Sequence, residues 1–105
     1  MTTEVIKYSP TAAALLRSNL GFFETTIPDE LADYLDSLLR YAYDDFKEMK
    51  IVLTPGKLKD DMDQMIYAAW MYRNGVTGSG KNEMLKSIIR NRQVNNALKD
   101  SEGSA

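Results

Sequence analysis

The stretch from Pro28 to Met49, PDELADYLDSLLRYAYDDFKEM, decides the fold. Its apolar side chains recur at spacings of three and four residues, which places them along one side of an α-helix. Pro28 suits the opening of a helix, and Asp29 and Glu30 complement the positive end of the helix dipole. The stretch therefore predicts a long amphipathic helix whose buried stripe consists of Leu31, Leu35, Leu38, Leu39, Ala42, Phe46 and Met49.

A second strong helical stretch runs from Leu58 to Arg73, after the turn signal Thr54-Pro55-Gly56. Its second half, MIYAAWMY from Met65 to Tyr72, is apolar on every side. A helix that is hydrophobic all round is surrounded by protein. Three other helices could enclose it, and a second subunit would do so more easily. The helical spacing of its aromatic residues favours packing in a core or an interface over the lining of a ligand pocket; these residues are Tyr67, Trp70 and Tyr72.

Two further helices complete the predicted bundle. Ser9 as a cap and Pro10 as the first helical residue predict a short helix in SPTAAALL, with Gly21 as its stop. A fourth helix is expected from about Glu83 to Ala97. The predicted fold is therefore all-α, a small bundle of about four helices in which the long second helix packs on the third. The inward residues of the fourth helix should be Leu85, Ile88 and Ile89.

The composition limits the chemistry. The chain has 105 residues, 44% of them hydrophobic, which suits one domain with a real core; we expect that domain over residues 1–98 and a disordered polar tail over 99–105. Without cysteine or histidine the chain has no disulfide, no thiolate metal site and none of the commonest general bases. The N-terminus lacks a signal peptide's apolar region, and no apolar run reaches the roughly 18 residues of a membrane helix.

Two motifs suggest ligands, and neither fits its context. GVTGSGKN, from Gly75 to Asn82, matches a phosphate loop except that Asn82 replaces the final hydroxyl residue. A phosphate loop follows a strand, whereas a helix is predicted here, so we interpret the segment as a mobile helix–helix loop without nucleotide binding. The acids at the start of the third helix are explained by the helix dipole, without a metal ion; they are Asp60, Asp61 and Asp63.

Charge is divided between two parts of the chain. The net charge of −2 gives no general attraction for nucleic acid, but acidic side chains crowd the second helix and basic side chains the fourth. Two solvated helix faces are one interpretation, and two contact surfaces are the other. The candidate residues of a subunit or partner interface are Asp33, Asp36, Asp44, Asp45, Tyr43, Trp70, Lys86, Arg90 and Arg92.

The basic residues of the fourth helix also allow another function. Lys86, Arg90 and Arg92 could read DNA, but a helix-turn-helix has a turn of about 3–4 residues where this chain has the glycine-rich stretch from Asn74 to Asn82. The sequence pI is near 5.1, which also disfavours DNA binding. A small helical regulator that binds DNA or a partner protein stays the alternative function.

Four segments carry a resemblance to a known family. They are LLRSNLGF (15–22), IPDELADYLDSLLRYAYDDF (27–46), LKDDMDQMIYAAWMYRNG (58–75) and EMLKSIIRNRQV (83–94). In this order and texture, residues 12–94 resemble the small head–tail connector, or adaptor, proteins of long-tailed bacteriophages. The chain departs from the pattern where many members have a proline before the last helix, since it has Asn82-Glu83 there.

The resemblance implies a structural role. Members of this family form rings that dock beneath the portal, extend the DNA channel and receive the tail or a stopper protein. For this chain it implies a homo-oligomeric ring at the virion head–tail junction, assembled in the host cytoplasm, with non-specific contact to DNA in the channel. It implies no enzymatic activity, no catalytic residue, no cofactor and no membrane.

The charge division adds a hypothesis about how copies would meet. We expect them to associate head to tail, with the acidic helix of one copy beside the basic helix of the next, because such heterologous contacts close into rings when the rotation allows. Apolar residues around Trp70 or Tyr43 would then supply most of the affinity, and the charges would set the register.

Overall fold

The structure is a computed structural model that describes residues 6–22, 27–75 and 83–103. It contains α1 (Pro10–Asn19), α2 (Asp29–Glu48), α3 (Leu58–Asn74) and α4 (Glu83–Gly103), and the described residues include no strand. The prediction of an all-α bundle of four helices is confirmed. Residues 76–82 of the predicted glycine-rich loop and residues 104–105 of the predicted tail lie outside the described residues.

α3 is the centre of the bundle. α1 and α2 make most of its contacts, and α4 packs on it more lightly. The predicted packing of α2 on α3 is therefore confirmed. Within the MIYAAWMY run every residue is buried or half-buried, so the other helices of the same chain enclose it without a second subunit. The core of α2 follows the predicted stripe, with Leu35, Leu38, Leu39, Ala42 and Phe46 buried.

The ends of α1 follow from local sequence. The Ser9 hydroxyl oxygen accepts a hydrogen bond from the Ala12 amide at 3.1 Å, and Pro10 fills the first helical position. At the other end Gly21 adopts φ of 87°, which costs a glycine little. The Phe22 amide can then bond back to the Arg17 carbonyl at 2.8 Å, which ends the helix in a reverse turn.

The connection between α2 and α3 also returns toward the core. Lys50 has φ of 66°, a left-handed conformation that is unusual for a residue with a side chain. It allows the Ile51 amide to bond the Phe46 carbonyl at 2.8 Å. Ile51 and Leu53 are buried as a result, although no helix or strand includes them.

α4 extends further than the sequence suggested. It was expected to end near Ala97, but its backbone is helical to Gly103. The physical reason is that residues 97–102, ALKDSE, include no glycine or proline, and Gly103 is the first residue that favours a stop. The Arg92 side chain contacts the start of α3, and eleven more residues of α4 follow Arg92.

Candidate interaction surfaces

A buried polar cluster holds the start of α3. Asp61 is fully buried, and its carboxylate accepts hydrogen bonds from the Ser9 hydroxyl at 2.9 Å and from the Gly56 amide at 3.1 Å. Asp60 accepts one from the Thr54 amide at 2.8 Å. These bonds tie the cap of α1 and the α2–α3 connection to one helical turn. The acids assigned to the helix dipole therefore have a second role, which the dipole argument missed.

Arg92 completes this cluster from α4. Its guanidinium lies 2.6 Å from Asp60 Oδ1 and 2.5 Å from Asp63 Oδ2. It donates aligned hydrogen bonds to Asp63, while Asp60 Oδ1 has the ion pair but no aligned donor among the described residues. Burial lowers the pKa of Arg92, and the bonds to Asp63 and Asp60 outweigh this, so its pKa lies above the ordinary value. Arg92 is thus largely engaged within its own chain.

Gln64 links three segments in the same region. Its side-chain amide is buried and donates to the Lys7 carbonyl and to the Leu39 carbonyl, both at 2.8 Å. Asp60 and Gln64 continue the buried stripe of Tyr67 and Met71 at spacings of three and four. Polar residues on an otherwise apolar stripe were the sequence signal that could have revealed the cluster, since a buried polar group needs partners.

Two acids of α2 are also engaged within the chain. The Tyr67 hydroxyl donates to Asp45, and burial together with this bond raises the pKa of Tyr67. Asp44 is exposed and lies 3.0 Å from the Lys7 ammonium group. Of the predicted acidic residues, Asp33 is exposed and Asp36 half-buried.

The two aromatic residues of the predicted interface, Tyr43 and Trp70, differ in burial. Tyr43 is only 6% exposed and belongs to the core, so its prediction as an interface residue is wrong. The side chain continues the buried stripe of Leu35 and Leu39, which is wider than predicted because α1 and α3 both cover α2. Trp70 is half-buried and makes an edge contact with Tyr67, with ring centroids 6.3 Å apart.

The basic side of the molecule is smaller than predicted. Lys86 and Arg90 are exposed on α4, whereas Arg92 faces α3. The structure therefore does not bring all three basic residues onto one outer surface. It places the exposed charges of α2 and α4 on two helices that both pack against α3.

The remaining candidate sites, a cavity, a metal site and a phosphate loop, give little support for ligand binding. A small cavity of about 90 Å³ lies between α3 and α4. Among the described residues, no three Asp, Glu, His or Cys side chains are placed to hold a metal ion. The phosphate-loop resemblance at Gly75–Asn82 falls outside the described residues after Gly75. The cavity is lined by Lys59, Asp63, Ile88, Asn91, Arg92 and Asn95.

Comparison of the chain with protein-family models, curated proteins and solved structures finds no match. Within the described ranges, every helix is too short or too polar to cross a membrane.

Proposed function

We propose that this protein is a structural head–tail connector, or adaptor, of a long-tailed bacteriophage. It assembles as a ring beneath the portal and links the DNA-filled head to the tail or to a stopper protein. It acts at the virion head–tail junction after assembly in the host cytoplasm. The proposal is supported by the resemblance of residues 12–94 to that family and by the distribution of exposed charge.

The observation that carries the proposal is the separation of unlike charges on the surface. Asp33 and Asp36 lie on α2, and Lys86 and Arg90 lie on α4, while α3 packs between these helices and holds both. Two unlike surfaces on one chain make heterologous contacts, which form rings when the rotation per subunit closes. No catalytic group is needed for this role, and the network at the start of α3 gives the rigid body that a ring subunit requires.

The first test is the mass and shape of the assembly. Light scattering over a range of concentrations, followed by electron microscopy, should show a ring with a central opening, alone or when mixed with the portal protein encoded nearby. Portal and capsid genes beside this gene would support the same proposal. A protein that stays monomeric both alone and with that portal would contradict it.

The second test reverses the exposed charges. Lys86→Glu with Arg90→Glu should block ring formation or docking, and Asp33→Lys with Asp36→Lys should partly restore it. The contact should weaken with salt, because exposed pairs are screened over about 8–10 Å at physiological ionic strength. Lys47→Glu, an exposed change on α2, is the matched control.

The alternative regulator predicts a different outcome. A monomer or dimer that binds duplex DNA through Lys86 and Arg90, with affinity falling steeply as salt rises, would favour it. The ion pairs of Arg92 weigh against this alternative, because they remove one of the three basic residues from the DNA-facing strip.

A further inference from the structure

Two surfaces of the molecule expose apolar side chains, and the charges beside the two surfaces are of opposite sign. The first, here called the tyrosine face, lies on the outer side of α2. Tyr34 and Tyr41 are 42% and 44% exposed and are seven residues apart, so they lie on the same side of the helix. The exposed acids nearby on α2 outnumber the exposed bases Arg40 and Lys47, while Asp44 pairs with Lys7. These acids are Glu30, Asp33 and Glu48.

The second surface, here called the apolar edge, lies where α4 crosses the start of α3. Leu58 and Met62 are 59% and 43% exposed and are one helical turn apart on α3. Val94 of α4 is 51% exposed. Lys59 and Asn95, the residues that follow Leu58 and Val94 in the chain, line the same small cavity, so α3 and α4 lie next to each other in this region.

The surroundings of the apolar edge are basic rather than acidic. Lys57 and Lys59 are exposed beside Leu58, and Arg90 is exposed one turn before Val94. The Arg92 guanidinium pairs with both Asp60 and Asp63 and offsets one of their two negative charges. The apolar edge is therefore an apolar strip with a positive border, and the tyrosine face is an aromatic strip with a negative border.

We propose that the apolar edge of one copy binds the tyrosine face of a second copy of this chain. The proposal rests on the ring assembly proposed above and identifies the surfaces that would make its subunit contact. Tyrosine gives a large rigid contact area and is enriched where binding energy concentrates. The unlike charges at the borders select this pairing over a contact between two tyrosine faces, where acid would meet acid.

The two surfaces lie on different helices, so the contact is heterologous. Each copy has one tyrosine face and one apolar edge. A variant in which one of these surfaces is disabled still has the other surface intact. Tyr41→Glu disables the tyrosine face, because it removes the ring and places a charge against the apolar side chains opposite. Val94→Glu disables the apolar edge with a charge like that of the acids opposite. Both sites are exposed, so circular dichroism should show both variants folded.

Complementation of the blocked variants is the test. Each variant alone should lose the assembly that the unchanged chain forms and sediment as a monomer. An equimolar mixture should shift to the mass of a dimer and no further, because only one intact pair of surfaces remains. Ala14→Glu, at an exposed position on α1, which contributes to neither surface, should assemble like the unchanged chain.

Cross-linking detects association that is too weak to survive sedimentation. Because the chain has no cysteine of its own, an introduced cysteine is the only thiol that reacts. Tyr41→Cys mixed with Met62→Cys and a short bismaleimide should give a cross-linked heterodimer, while Tyr41→Cys mixed with Ala14→Cys should not. If the mixture of blocked variants stays monomeric and no heterodimer is captured, the proposal is wrong. If both blocked variants assemble fully while the Lys86→Glu, Arg90→Glu chain does not, the ring stands and only this pairing of surfaces fails.

Discussion

Arg92→Ala should destabilise the fold strongly, although an arginine on the outer helix of a small protein suggests a surface contact. The change leaves Asp60 and Asp63 without their cation in a region where Asp60 is nearly buried. Breaking a buried ion pair from one side costs about 3–5 kcal/mol. We take the lower end, about 3 kcal/mol, because the Arg92 side chain keeps 17% of its exposure.

Urea unfolding followed by far-ultraviolet circular dichroism is the assay. With a slope of about 1.5 kcal/mol per molar urea, this loss shifts the midpoint by about 2 M. Arg92→Lys should recover only part of it, because one ammonium group cannot reproduce the forked contact with two carboxylates. Arg92→Met combined with Asp60→Asn and Asp63→Asn should recover more, because no unpaired charge remains.

The matched control is Arg90→Ala, two residues away on the same helix and exposed. It should change stability by no more than about 0.5 kcal/mol. Equal and small effects of the two alanine variants would refute the reasoning, and would return Arg92 to the set of outward-facing contact residues.

Three other changes test the fold. Tyr67→Phe removes the hydroxyl that donates to Asp45. Because the folded pKa of Tyr67 is raised, the stability that this hydroxyl adds is present below about pH 10 and is lost as the pH rises further. The difference in unfolding free energy between the two proteins should therefore narrow above pH 10, by up to roughly 1.4 kcal/mol per pH unit, in denaturation at pH 9 to 11. Lys50→Gly should be more stable than Lys50→Ala by about 1 kcal/mol in urea, because φ is positive there; equal stabilities would contradict this account of the turn. Leu38→Asp buries an unpaired charge and should abolish helical circular dichroism and a melting transition; a folded variant would show that α2 is not central.

The helices could be predicted because their signals are local. Ser9 and Pro10 fix the start of α1, and the stripe of α2 follows from spacing alone. The all-apolar half of α3 predicted its central position. Each of these inferences uses residues within a few turns of one another, where periodicity and capping determine the backbone.

The polar cluster could not be predicted in the same way. Ser9 and Asp61 are 52 residues apart, and Arg92 and Asp63 are 29 apart, so only the packed bundle brings them together. Each of these residues has a local explanation in the sequence: Ser9 as a helix cap, the acids as partners of the helix dipole, and Arg92 as a surface base. In the packed bundle, Ser9 and the acids of α3 also bond to other segments, and Arg92 faces α3 instead of solvent, because buried polar groups need partners.

The ion pairs and hydrogen bonds within the chain also reduce the number of charged side chains that can contact a second copy. Asp45 and Arg92 bond within the chain, and Asp44 is beside Lys7. In the proposed head-to-tail contact, Asp33 and Asp36 would face Arg90 and Lys86 of the next copy, which amounts to at most about two ion pairs near the surface.

Exposed pairs contribute about 0.2–1 kcal/mol each, so two of them give at most about 2 kcal/mol. A micromolar contact needs about 8 kcal/mol, which leaves most of the affinity to apolar burial. Neutralising these charges, as in Lys86→Gln with Arg90→Gln, should therefore change the register and salt dependence of assembly more than its strength, whereas substitutions at Tyr41 or Val94 should change its strength. Reversal to glutamate has the larger effect because it replaces attraction with like-charge repulsion. A subunit held this weakly by charge would assemble most readily where a portal already arranges the copies side by side.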